Sequence, residues 1–136
     1  MKNSTIKYLL AALLVLLALQ TNADEYDDAV AVMTDGDYTS AYRAFKRLAK
    51  RDHAEAQFQL GMLYLYGKGV DQDAGKGISW LKQAALGYSY MAANELGQIY
   101  LSGQWVKQDE AEAIKWIELS SEIAAENEGE AEDGCD

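Results

Sequence analysis

The hydrophobic and polar positions of this chain follow two different rhythms. From Tyr8 to Leu19 the run YLLAALLVLLAL is apolar at all 12 positions, with Lys2 and Lys7 before it and Gln20, Thr21, Asn22 and Ala23 after it. Past Ala23 the pattern turns helical. Tyr38, Ala41, Tyr42, Phe45, Leu48 and Ala49 recur at the spacing of a single helix face. Ala29, Val30, Val32 and Met33 form a shorter stripe before the Gly36-Asp37 turn. Extending this reading with turn glycines and capping residues predicts six helices, roughly 25–35, 37–51, 53–67, 73–87, 90–103 and 109–127. Asp52 is expected to cap the third, with Glu55 behind it, Asp73 the fourth, and Asp109 the sixth, with Glu112 closing a capping box.

The frame LGMLYLYGKGV, Leu60 to Val70, returns 36 residues later as LGQIYLSGQWV, Leu96 to Val106. Ala56/Ala92, Gln72/Gln108, Asp73/Asp109, Ile78/Ile114 and Trp80/Trp116 stay in the same register. A period of this length built from two helical patterns implies stacked helical hairpins. Each kept residue has a structural reading. Gly61 admits the backbone of the paired helix, a use that offsets its cost of about 1 kcal/mol relative to alanine. Gly67 stops the first helix, and Val70 plugs the turn. Ile78, Trp80, Leu81, Ala84 and Ala85 pack the second helix back.

This frame, A-x-x-x-L-G-x-x-Y-x-x-G-x-x-V-x-x-D closing on a tryptophan, resembles the Sel1-like repeat, a relative of the tetratricopeptide repeat. Gly36 to Ala49 resembles the half-unit that often opens such proteins. The resemblance implies an all-α fold, a short right-handed α-solenoid of stacked antiparallel helix pairs. The expected layout is a signal segment over 1–23, an N-terminal hairpin over 24–53, repeats over 54–89 and 90–125, and an acidic tail over 126–136. Trp105 departs from Gly69, Ser120-Ser121 from Ala84-Ala85, and Ile123 from Gly87, so the last helix is expected to run past the usual stop.

The N-terminal run, shorter than the about 20 residues of a bilayer span, reads as a secretory signal peptide cleaved after Ala23, where Thr21 and Ala23 suit the peptidase. An uncleaved anchor is the lesser reading. The expected location is the bacterial periplasm or the secreted space, with no membrane attachment after cleavage. Removing Lys2 and Lys7 takes the formal charge from -10 to -12, which argues against nucleic acid as a partner. Cys135 is the only cysteine, so no intramolecular disulfide can form, and a homodimer through Cys135 is its one covalent option. The segment from Glu126, ENEGEAEDGCD, has no base and is expected to be disordered.

Candidate chemistry is sparse. Gly67-Lys68-Gly69 lacks P-loop spacing, and the second unit replaces Lys68-Gly69 with Gln104-Trp105. His53 is the only histidine, and no cysteine stands near it. No catalytic residue, cofactor or metal ligand is assigned, and the chain is not expected to be an enzyme. Some cysteine-rich relatives resemble β-lactam-binding enzymes, and this chain lacks those cysteines. What remains is surface. In a tetratricopeptide-like architecture the first helix of each hairpin lines a concave groove, here implicating Tyr26, Met33, Phe58, Met62, Leu65, Tyr66, Asn94 and Gln98, with Val30, Met91 and Leu101 on the same faces. Methionine and aromatic residues suit adaptable peptide capture. Arg43, Lys46, Arg47 and Lys50, with Arg51, form a basic stripe that is either a solvated face or a docking face for an acidic partner or the chain's own tail. The expectation is an exported protein-protein interaction module, an adaptor or scaffold binding a peptide or helix of another protein. The alternatives are a cell-wall or β-lactam-directed hydrolase and a structural homo-oligomer.

Overall fold

The computed structural model describes residues 2–132, with side chains described over 6–17 and 24–128. It contains six helices in series: α1 (Lys2–Thr34), α2 (Tyr38–Ala49), α3 (Ala54–Tyr66), α4 (Ala74–Leu86), α5 (Tyr90–Ser102) and α6 (Glu110–Glu132). There is no strand among the described residues. Each helix packs mainly on its neighbours in sequence, giving an all-α helical-repeat solenoid.

Two helices run further than expected. α1 continues back through the apolar run to Lys2, because nothing between there and Thr34 is proline or glycine. α6 continues to Glu132, so the expected disorder is not met over 126–132. Alanine and glutamate are strong helix formers, and Ile123, buried at 2% exposure where the earlier unit has Gly87, carries the helix past the usual stop. Cys135, with the rest of 133–136, lies outside the described residues, as do the side chains of Thr21 and Ala23. No described helix is long and apolar enough to cross a membrane.

Capping is consistent from unit to unit. Asp37, Asp73, Ser89 and Asp109 each accept the backbone N–H three residues on. At α3 the expectation fails: the cap is His53, whose Nδ1 accepts from the Ala56 N–H at 3.2 Å. Asp52 instead takes a left-handed conformation, φ 59°, spending itself on the turn out of α2. The capping box at Asp109 does not close either. Glu112 turns to Lys115 and Trp116, and the Asp109 N–H donates to the Tyr100 carbonyl, as that of Asp73 does to Tyr64.

Gly67 and Gly103 end α3 and α5 at φ 63° and 69°, as read from the sequence. Gly61 lies where a Cβ would come within 2.9 Å of the Gly77 carbonyl, so α3 and α4 cross at backbone distance. Two apolar clusters result. One joins Ala29, Ala41, Phe45, Leu48, Leu60 and Leu63; the other joins Leu65, Ile78, Leu81, Ala93, Leu96 and Ile123. α3 contributes to both. Ile78 is buried, whereas its counterpart Ile114 is 48% exposed, because α4 is sandwiched between α3 and α5 while α6 packs chiefly on α5 alone.

Candidate functional site

Residues three and four apart share a helix face, and on α3 this brings Phe58, Gln59, Met62, Leu63 and Tyr66 to the side facing the end of α1. With Met33 from α1, Tyr38 from the start of α2 and Lys68 from the following turn, they line a cavity of about 240 Å³. Its lining is largely apolar and includes two flexible thioethers, Met33 and Met62. Tyr66 is 52% exposed and meets the Trp105 ring edge-on at 5.3 Å. The Lys68 ammonium stands 5.0 Å from the centre of the Tyr38 ring, at the cavity's rim.

Of the residues expected in a groove, Met33, Phe58, Met62 and Tyr66 meet at this cavity. Leu65 does not: it is 1% exposed, rotated away from Met62 and driven against Gly77 of α4. Its place is in the core. Tyr26 lies higher on α1, stacked on His53 at 4.9 Å and tilted against Phe45 at 5.8 Å; burial pushes its phenol up. Asn94 and Gln98 sit on α5, half-buried and exposed respectively, and neither lines the cavity. Sequence reasoning missed Tyr38, Gln59, Leu63 and Lys68. In the sequence Tyr38 belongs to the α2 stripe and Lys68 stands between turn glycines, with no helical period linking either to α3.

The Gly67-Lys68-Gly69 turn is scaffolding. The N–H groups of Gly67 and Lys68 both donate to the Leu63 carbonyl, and a Cβ on Gly69 would overlap the Tyr38 carbonyl. Those amides are committed to closing the helix rather than to holding an anion.

The basic stripe of α2 is partly neutralised. Arg47 and Arg51 reach Glu25 of α1 at 3.1 and 2.8 Å. Burial alone would push the Glu25 carboxyl up; the two guanidiniums together outweigh it and hold the carboxyl below its ordinary value. The Lys46 ammonium donates to the Tyr42 hydroxyl at 3.1 Å, and that hydroxyl lies 3.0 Å from the one on Tyr64. The Tyr64 phenol is pushed up to about 12, by burial and then by Tyr42. Tyr42 is held below its ordinary value, first by its hydrogen bond with Tyr64, with Lys46 adding to it. Arg43 and Lys50 are exposed, and neither has an ion-pair partner among the described residues. The acidic α6 packs on α5, at the other end of the series from α2, so the chain's own tail does not cover this stripe over the described residues.

His53 is held at both ring and nitrogen by Tyr26 and the α3 cap. No group of three His, Cys, Asp or Glu side chains is placed to hold a metal among the described residues.

The sequence profile of the Sel1 repeat matches residues 54–89 and 91–123. Among solved structures, a Sel1 repeat protein from Oxalobacter formigenes is 29% identical, with a TM-score of 0.68 over 75% of this chain and 43% of that one. The protein c5321, a protective antigen of uropathogenic Escherichia coli with an SLR fold, is 39% identical, with a TM-score of 0.58 over 62% of this chain and 18% of that one. The chain thus spans less than half the length of either. No curated protein matches it significantly. With two units matched by profile and the hairpin geometry shared with solved relatives, the chain belongs to the Sel1 repeat family.

Proposed function

We propose that this chain is an exported adaptor that captures an apolar segment of a partner protein, a peptide or one face of a helix, against α1 and α3. Sel1 repeats typically serve as protein-protein interaction modules and are generally non-catalytic scaffolds. The observation that carries the finer reading is the cavity between Met33, Tyr38, Phe58, Met62 and Tyr66. It is the size of one large side chain, it is apolar with methionines that adjust to shape, and it has one cation, Lys68, at its edge. A segment with an apolar anchor next to a carboxylate fits it. Tyr66, half-exposed in the lining, is the expected energetic centre, since aromatic anchors dominate such contacts. Export rests on the apolar run from Tyr8 to Leu19 after Lys2 and Lys7.

Affinity capture with in-cell crosslinking tests both parts. Wild type is expected to retain a partner that Tyr66→Ala binds at least about tenfold more weakly, with unchanged circular dichroism and with the protein found in the periplasmic fraction. A partner held equally by Tyr66→Ala and Lys68→Glu variants would place binding elsewhere. A cytoplasmic pool alone would remove the export reading.

A further inference from the structure

Tyr88 occupies the short turn between α4 and α5 with φ at 66° and is 70% exposed. A bulky aromatic in the left-handed region is strained. At the equivalent turn between α2 and α3 the left-handed residue is Asp52, a type that tolerates the conformation. The Tyr88 and Ser89 N–H groups donate to the Ala85 and Ala84 carbonyls and close α4, while among the described residues no hydrogen bond holds the Tyr88 phenol. Leu86 beside it is 72% exposed. Together with Leu119 they form an apolar cleft edged by Glu122 and Glu126.

At the other end of the helix series lies an apolar opening with exposed bases beside it. An open cavity of about 360 Å³ lies between α1 and α2, with Ala29, Val32 and Ala44 as its apolar lining and Arg43 and Arg47 along one side. Glu25 and Asp28 line the opposite side, and Glu25 is engaged by Arg47 and Arg51. Lys50 continues the Arg43–Arg47 row one turn on. From Tyr38 to Arg51 the chain has bases and no acid; from Ser121 to Glu132 it has acids and no base.

We infer that copies of this chain associate head to tail, with Tyr88 and Leu86 of one copy seated in the cavity between α1 and α2 of the next, and Glu122 and Glu126 facing Arg43 and Lys50. The apolar knob supplies affinity, and the opposed charges set register and encounter rate. Because the two surfaces differ, the contact is heterologous, so each added copy leaves a free knob and a free cavity and association continues beyond a dimer. This contact does not involve the Met62–Tyr66 groove and stands apart from partner capture there.

Sedimentation velocity on the purified full chain over a range of protein and salt concentrations tests it, using wild type and three variants. Arg43→Glu with Lys50→Glu leaves the Glu25 pairs intact and is expected to weaken self-association about tenfold or more. Glu122→Lys with Glu126→Lys is expected to do the same. Mixed together, these two charge-reversed chains each present a surface complementary to the other, and association is expected to return. Tyr88→Gly removes the knob and relieves the backbone, so it is expected to reduce association while the melting temperature holds or rises. A wild-type monomer at every concentration would overturn the proposal, and so would association indifferent to all three variants, as contact through the exposed apolar residues of 6–17 would be. Charge-reversed variants that stay apart on mixing would also overturn it.

Discussion

His53 carries two structural tasks, and both are measurable. Its Nδ1 caps α3 and its ring stacks on Tyr26. His53→Ala is expected to cost about 0.5–2 kcal/mol in urea denaturation, and His53→Ser to recover most of that by restoring the cap, as Ser89 does for α5. A shift of 36 residues sets His53 under Ser89, so the repeat contained the signal for this cap. The local preference for aspartate pointed one residue early. Glu25 makes a second residue-scale prediction. Its carboxyl is held below its ordinary 4.5, so its pairing with Arg47 and Arg51 stabilises the fold above that value and is lost as pH falls through the depressed one. With both arginines more than half exposed, the gain is screened to at most about 1 kcal/mol. Thermal melts should show wild type above Glu25→Gln near neutrality, with the gap closing in acid. A constant gap at all pH values would remove the ion pair as its cause.

Between helices, the repeated glycines are not equivalent. A Cβ on Gly61 would meet the Gly77 carbonyl at 2.9 Å and Leu81 at 3.0 Å, whereas on Gly97 it would meet Cγ1 of the half-buried Ile117 at 2.6 Å, a contact that a change of the Ile117 rotamer relieves, with the Ala113 carbonyl back at 3.5 Å. Backbone cannot yield and a side chain can. Gly61→Ala is therefore expected to cost about 1–3 kcal/mol and Gly97→Ala distinctly less, measured by urea midpoints. Equal costs would mean that α5 and α6 are as rigidly crossed as α3 and α4. The elements themselves were legible from the sequence because their signals are local: stripes, caps and turn glycines. The helices α1 and α6 extend past their expected bounds for a common reason: helix propensity continues through the apolar run and the acidic segment whatever role either plays.

At the scale of the whole molecule, α3 feeds both apolar clusters, which should make the solenoid unfold as one unit. Leu60→Ala in one cluster and Leu81→Ala in the other, both fully buried, are each expected to cost about 2–5 kcal/mol while leaving a single transition of unchanged urea dependence. Two resolved transitions would mean independent halves. The candidate groove was half legible. Met33, Phe58, Met62 and Tyr66 were found because their spacing puts them on first-helix faces; Leu65, on the same helix, was misplaced because spacing alone does not say how far the paired helix wraps around. Tyr38 and Lys68 were missed because they join the cavity from a helix start and a turn, positions no helical period connects. The sequence by itself determined the family, the repeat register, the helix stops and the close crossing at Gly61, all of which depend on residues near one another in the chain or on an exact echo of them. Only the tertiary structure decided which apolar residues remain uncovered, that Arg47 and Arg51 are spoken for by Glu25, and that Tyr88 stands strained and exposed. Those outcomes depend on which surfaces the stacking of helices happens to bury, a property of pairs of elements that no single stretch of sequence contains.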